Sequence, residues 1–286
     1  MWEEQNRKAV ELFRSGRQAE AMAMAQEALK EAEESFGPDD ARVATSLNNL
    51  AEMYRAQVKH GEAEPLWKRA LEIRKKALGP DHPDVSTVMN NLAGAYFELG
   101  DLAKAEFMLT GALRILERSL GPAHPDVATT LGNLAAVYRV EGKYPGARAL
   151  YDKILAIKEQ TLGPDHREVG ACLNDLAGLL ESQSRHAEAE KYYRRALDVA
   201  EKAFGSDHPN VATSLTNLAG TLISQEKYAE AEPLVDRAIS IWEQAPCLDH
   251  PAIAPALGGI AEFYDLVGKP AEAERLRTLA KKTPLH

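Results

Sequence analysis

The sequence predicts an all-α solenoid built from about seven helix-turn-helix units, and three observations predict it. Glycine falls at Gly37, Gly79, Gly121, Gly163 and Gly205, each 42 residues from the last, and histidine keeps the same period at His82, His124, His166, His208 and His250. Alanine holds Ala21, Ala63, Ala105, Ala147, Ala189, Ala231 and Ala273 without a break. Within each period the apolar residues recur at helical spacing over two successive segments. A fixed period of this length marks a stack of like supersecondary units. Nearly seven such periods fill the 286 residues. One repeat domain over 1–286 is therefore expected, with units at about 1–37, 38–79, 80–121, 122–163, 164–205, 206–247 and 248–286.

The elements follow in order within a unit. Segment 83–100 carries Val85, Met89, Leu92, Ala93 and Tyr96 on one stripe of a 3.6-residue helix. Pro83 suits the first turn, where its missing N–H has no intrahelical partner, and Asp84 adds negative charge at the positive end of the helix dipole. Gly100 ends that helix. The second helix is expected over about 102–120, with Ala105, Met108, Leu109, Ala112, Leu113 and Leu116 on one side. Gly121 supplies a left-handed cap and Pro122 prevents continuation. A lone helix pair cannot hide its apolar stripe, so successive pairs must stack. At the ends the pattern loosens. Gln5 and Lys8 replace leucines in the first unit, and Gly258 and Gly259 replace asparagines in the seventh. Both read as terminal units with wetted outer faces.

Composition narrows the function. With 45% hydrophobic and 27% charged residues the chain can bury a core. Its net charge of −9 repels phosphate backbones, so nucleic acid is not the expected partner. No run of 18 apolar residues is present, so no membrane insertion is expected. The first residues do not read as a signal peptide. Cys172 and Cys247 form neither a disulfide framework nor a metal-knuckle pattern, which points to a reducing, cytoplasmic setting.

At these positions the chain resembles the tetratricopeptide repeat family. The second unit shows the family pattern as Leu47, Leu50, Ala51, Tyr54, Ala63, Trp67 and Ala70, and the third as Met89, Leu92, Ala93, Tyr96, Gly100, Ala105, Leu109 and Ala112. The 42-residue period, the G-P-D-H-P linker and the N-N-L-A segment resemble the kinesin-light-chain style of that repeat. The resemblance implies a right-handed α-α superhelix whose first helices line a concave face. It implies a scaffold for protein partners, with no enzyme activity.

If Leu47, Leu50 and Tyr54 face the core, Thr45, Asn49, Glu52 and Ala56 share a separate stripe. Asn49 recurs as Asn91, Asn133, Asp175 and Asn217, and Thr45 as Thr87, Thr129 and Thr213. A carboxamide can donate to a C=O and accept from an N–H, so a row of them can hold an extended peptide by its main chain. The family resemblance implies that role for Asn49, Asn91, Asn133 and Asn217, with Asp175 restricted to accepting. The asparagine one place earlier, as in Asn48, Asn90 and Asn174, reads as structural. Arg55, Phe97 and Arg139 form a neighbouring column expected to set preference, with acidic ligand groups facing the arginines. Gly94 and Ala136 leave room for the ligand. The peptide-binding set is thus Asn49, Asn91, Asn133, Asn217, Arg55, Phe97, Arg139, Thr87, Thr129 and Asp175.

No cofactor, metal or catalytic residue is expected. The periodic histidines sit one repeat apart, whereas ligands to one zinc all lie about 2 Å from the metal. They read instead as capping groups, and His60 and His186 have no partner at metal spacing. Phosphate-loop, dinucleotide and hydrolase motifs are missing. Alternative readings are a self-assembling scaffold, dimeric or end to end, and the regulatory arm of a larger signalling protein. The tail at 283–286 could itself fill the groove.

Overall fold

The computed structural model describes residues 1–244 and 253–282. Cys247, His250 and the tail at 283–286 lie outside these. The described residues form fourteen helices and no strand. They are α1 (Trp2–Arg14), α2 (Gln18–Phe36), α3 (Ala41–Ala56), α4 (His60–Leu78), α5 (Pro83–Glu98), α6 (Leu102–Leu120) and α7 (Pro125–Val140). Then come α8 (Tyr144–Leu162), α9 (Arg167–Glu181), α10 (His186–Phe204), α11 (Pro209–Ser224), α12 (Tyr228–Gln244), α13 (Ile253–Leu266) and α14 (Pro270–Lys282). The chain divides into two compact bodies, Met1–Leu150 and Tyr151–His286.

Local chemistry sets the helix limits. Gly121 closes α6 at φ +87°, a left-handed conformation that costs a glycine little. The histidines cap the odd-numbered helices. Nδ1 of His82, His124, His166 and His208 accepts the backbone N–H two residues on, at 3.1, 3.2, 3.3 and 3.1 Å. Asp40 does the same for Arg42 at 2.9 Å. Each bond satisfies one of the N–H groups that a helix start leaves unpaired. Among the described residues no cluster of His, Cys, Asp or Glu could hold a metal ion.

Packing follows the periodic columns. All seven alanines from Ala21 to Ala273 are fully buried, where the two helices of each pair cross. In the first body, Leu47, Trp67, Val85, Leu92 and Leu109 form the centre of one apolar cluster. In the second, Leu180, Leu215, Leu222, Val235 and Trp242 do the same. Leu180 and Leu222 replace the tyrosine of the other units and are fully buried. At the first end, Lys8 is exposed and Gln5 half-buried, while Ala9 and Leu12 bury. Polar ties join successive repeats at their edges. Tyr138 Oη donates to Glu106 at 2.9 Å, and Lys143 Nζ to the same carboxylate at 2.8 Å.

Candidate functional site

Within the first body the odd-numbered helices α3, α5 and α7 enclose a cleft of about 330 Å³. Three of its residues come from the expected asparagine, glycine and Arg55–Arg139 columns on α5, namely Asn91, Gly94 and Phe97. Helix α7 contributes Asn133 and Ala136, and α3 contributes Arg55 and Glu52. The floor is apolar, formed by Leu109 of α6 and Val137 of α7. A Cβ at Gly94 would meet nothing within 4 Å, so the cleft has open space beside the helix backbone.

The carboxamides are not equivalent. Asn91 Nδ2 donates to Asn48 Oδ1 at 2.9 Å, and that oxygen also accepts from Trp67 Nε1 at 3.2 Å. Asn49 Nδ2 donates to Asn6 Oδ1 at 3.0 Å. Each of these side chains is held by the preceding repeat, which fixes its rotamer and leaves the carboxamide oxygen without a partner among the described residues. Asn133 is exposed and makes no side-chain hydrogen bond among the described residues. It retains two donors and an acceptor for a ligand. Asn90, read as structural, behaves so: its Nδ2 donates to Ser86 O at 3.1 Å and to Thr130 Oγ1 at 3.0 Å. It nonetheless touches the cleft.

Charge in the cleft differs from the simple column count. Arg55 pairs with Glu52 and with Glu98, each at 3.0 Å. Partial burial acts to weaken its charge, and the two carboxylates outweigh that, so its pKa rises above the ordinary arginine value. Glu52 lies one turn away on the same helix and is legible in the sequence. Glu98 is 43 residues off and comes into reach only through stacking. Arg139 is exposed and makes no ion pair among the described residues. It lies one turn beyond Ala136 on α7, outside the cleft lining.

The remaining expected residues are not gathered there. Thr87 and Thr129 are exposed on the second turns of α5 and α7, and Thr129 Oγ1 donates to Pro125 O of its own helix at 3.2 Å. In the second body Asn217 is half-buried on α11 and Asp175 is exposed on α9. Glu181, at the Arg55 position, accepts from Thr221 Oγ1 at 2.9 Å and meets His186 Nδ1 at 2.9 Å. Ile223, at the Phe97 position, packs on the apolar cluster. Cys172 is buried, and burial pushes its thiol up to about 12, so it offers no nucleophile at neutral pH.

Comparisons with known proteins agree with this architecture. The tetratricopeptide repeat family model matches residues 5–65, 42–118, 126–202, 173–244 and 211–277. No curated protein matches the chain. Among solved structures, BtubC (BKLC) from P. vanneervenii is similar at 24% identity, with 77% of this chain and 89% of that chain covered and a TM-score of 0.67. Nearly identical TPR-like repeats of a candidate kinesin light chain from P. anserina match at 25% identity, covering 70% of this chain and 95% of that one, with a TM-score of 0.63. The Signal Transduction ATPase with Numerous Domains protein with a tetratricopeptide repeat sensor, from Pyrococcus horikoshii, has a TM-score of 0.75 at 15% identity. That match covers 97% of this chain and 41% of that one. The repeat is of the kinesin-light-chain-like type. This chain belongs to the tetratricopeptide repeat family, whose repeats indicate a protein–protein interaction scaffold.

Proposed function

We propose that the protein binds an extended segment of a partner polypeptide along the odd-numbered helices, by contact alone and without chemistry. One observation carries the reading: Arg55, Asn91, Phe97 and Asn133, drawn from three successive repeats, meet in one cleft with an apolar floor. A peptide laid across it can offer main-chain N–H to the Asn91 oxygen and pair both ways with Asn133. An apolar side chain fits against Phe97 and Leu109, beside the bare backbone of Gly94. Because Glu52 and Glu98 already compensate Arg55, a neighbouring acidic group on the ligand is better met by Arg139. Asn49, Thr87 and Thr129 in the first body and Asn217 and Asp175 in the second are further contacts in this proposal, and the seven units act as one domain in the cytoplasm.

The test is selection of peptides from a random display library on the full chain, followed by affinity measurement on wild type and on the Asn91→Ala/Asn133→Ala double variant. Loss of two main-chain grips, each a hydrogen bond worth roughly 1 kcal/mol, should weaken binding about tenfold or more. Peptides that bind the two proteins equally would place the binding face elsewhere.

A further inference from the structure

The second body holds a hollow that the cleft does not involve. It lies where the C-terminal half of α10 passes the N-terminal halves of α9 and α11, and its volume is about 370 Å³. The corresponding positions in the first body carry Ser86, Ile115, Leu116 and Thr130, all buried, and Asn90 donates to Thr130 Oγ1 at 3.0 Å. Eighty-four residues on, every one of those four is smaller: Gly170, Val199, Ala200 and Ser214. Ser214 Oγ donates to Asn210 O of its own helix at 3.2 Å, as Thr130 Oγ1 does to Asp126 O at 2.8 Å, and among the described residues no asparagine side chain donates to it. Asn174, the counterpart of Asn90, makes no side-chain hydrogen bond among the described residues: its Oδ1, like that of Asn90, is shielded from solvent with no donor, and its Nδ2 lacks the two bonds that Asn90 Nδ2 makes. A buried acceptor without a donor is unfavourable, so a ligand N–H placed there relieves a penalty.

The rim supplies charge. Arg167 is the first residue of α9, exposed and free of ion pairs among the described residues. Its neighbour Glu168 is neutralised by Lys158 at 3.1 Å. The uncompensated charge at the mouth is therefore positive, and the starts of α9 and α11 add to it. Arg167 and Asn174 stand seven residues apart on one face of α9, about 10 Å along the axis, with the bare Gly170 between them. Gly170 also lets α9 come close to α10, since a Cβ there would lie 3.1 Å from Val199 Cγ1.

We propose that this hollow binds a small amphipathic carboxylate, an N-acyl amino acid whose side chain is the size of leucine or phenylalanine. The apolar side chain takes the space that Leu116 fills in the first body, resting on Ala196, Val199, Ala200 and Phe204. The amide N–H donates to Asn174 Oδ1, and the carboxylate pairs with Arg167. The site stands apart from the peptide cleft and holds whether or not that reading does.

Titration of the full chain with N-acetylphenylalanine, followed by isothermal calorimetry and by the side-chain amide signal of Asn174, tests it. Wild type should bind saturably and shift that signal. N-acetylphenylalaninamide, lacking the carboxylate, should bind about tenfold more weakly, and Arg167→Gln should bring the acid down to the level of the amide. Ala200→Leu, which restores the first-body residue, should abolish binding with no fall in thermal midpoint. Ser214→Leu serves as a second filled variant should the first misfold. Absence of saturable binding to wild type, equal binding of acid and amide, or undiminished binding by a folded filled variant would overturn the assignment.

Discussion

The two bodies share one 42-residue frame and open in different places. In the first, the hollow lies among the C-terminal halves of the odd-numbered helices, around Asn91, Phe97 and Asn133. In the second, one hollow lies at their N-terminal halves, around Gly170, Asn174 and Ser214, besides a smaller one among Asp236, Tyr264 and Leu276. The positions correspond in the 42-residue period, so the difference lies in a few side-chain volumes and in which carboxamide is tied down. Where Thr130 and Leu116 are large, the N-terminal space closes and Asn90 is locked. Where Ser214 and Ala200 are small, the space opens and Asn174 is unpartnered. A repeat protein can thus place a concavity at one end of its helices or the other while the helix starts from α3 to α12 keep their register.

The comparison is broken most forcefully by Leu116→Ala, which carves the second-body hollow into the first. Leu116 is 3% exposed, and deleting it should destabilise by about 2–5 kcal/mol in urea unfolding. Next in size is a charge tie that both bodies make and the second extends: Glu190 stands 84 residues after Glu106, meets Lys227 as Glu106 meets Lys143, each at 2.8 Å, and adds Arg194 at 2.8 Å. Glu190 is partly buried, which works against its charge, but hydrogen bonds from Lys227, Arg194 and Gln225 outweigh this and hold its pKa at about 2, against an ordinary 4.5. A carboxyl whose folded pKa is depressed stabilises above its unfolded value and loses that contribution as pH falls through the folded one. Glu190→Gln should therefore cost about 1–3 kcal/mol near neutral pH, and its difference from wild type should shrink below about 4.5 and vanish near 2. Urea midpoints across that range check the sign.

Smaller effects sharpen the same contrast. Ala200→Leu, the mirror of Leu116→Ala, should raise stability by about 0.5–2 kcal/mol by filling space, read as a higher thermal midpoint. Within the cleft, Asn91→Ala breaks the bond to Asn48 and should cost about 1 kcal/mol. Asn133→Ala, exposed and unbonded, should stay within about 0.5 kcal/mol of wild type. Equal costs at the two positions would show that the link between Asn91 and Asn48 adds nothing to the fold.

Helix limits, the alanine crossings and the capping histidines were all legible in the sequence, because each depends on local propensity or on one strict period. Helix α6 runs Leu102–Leu120 as its apolar stripe requires, and His82 caps α5 because it directly precedes Pro83. Four of the ten expected site residues gather in the cleft for the same reason: a column on one helix face becomes a row once helices stack. What was not legible depends on side-chain reach between repeats. Asn91 meets Asn48 and Arg55 meets Glu98 across 43 residues. No one-dimensional spacing announces a rotamer. The hollow at Asn174 had a sequence signal, the joint shrinkage of four columns. It is visible only when periods are compared for volume rather than for polarity.

The alanine column sets the step in which this chain can be edited. Every crossing presents an identical methyl group to the helix above it, so whole periods are interchangeable at that point and fractions of a period are not. Excising residues 60–101 would bring Ala105 to the place of Ala63, and the shortened array would still close at each crossing. Removing one residue fewer would set a bulkier neighbour there and prise the pair apart. Length in such a molecule is quantised by its narrowest contact.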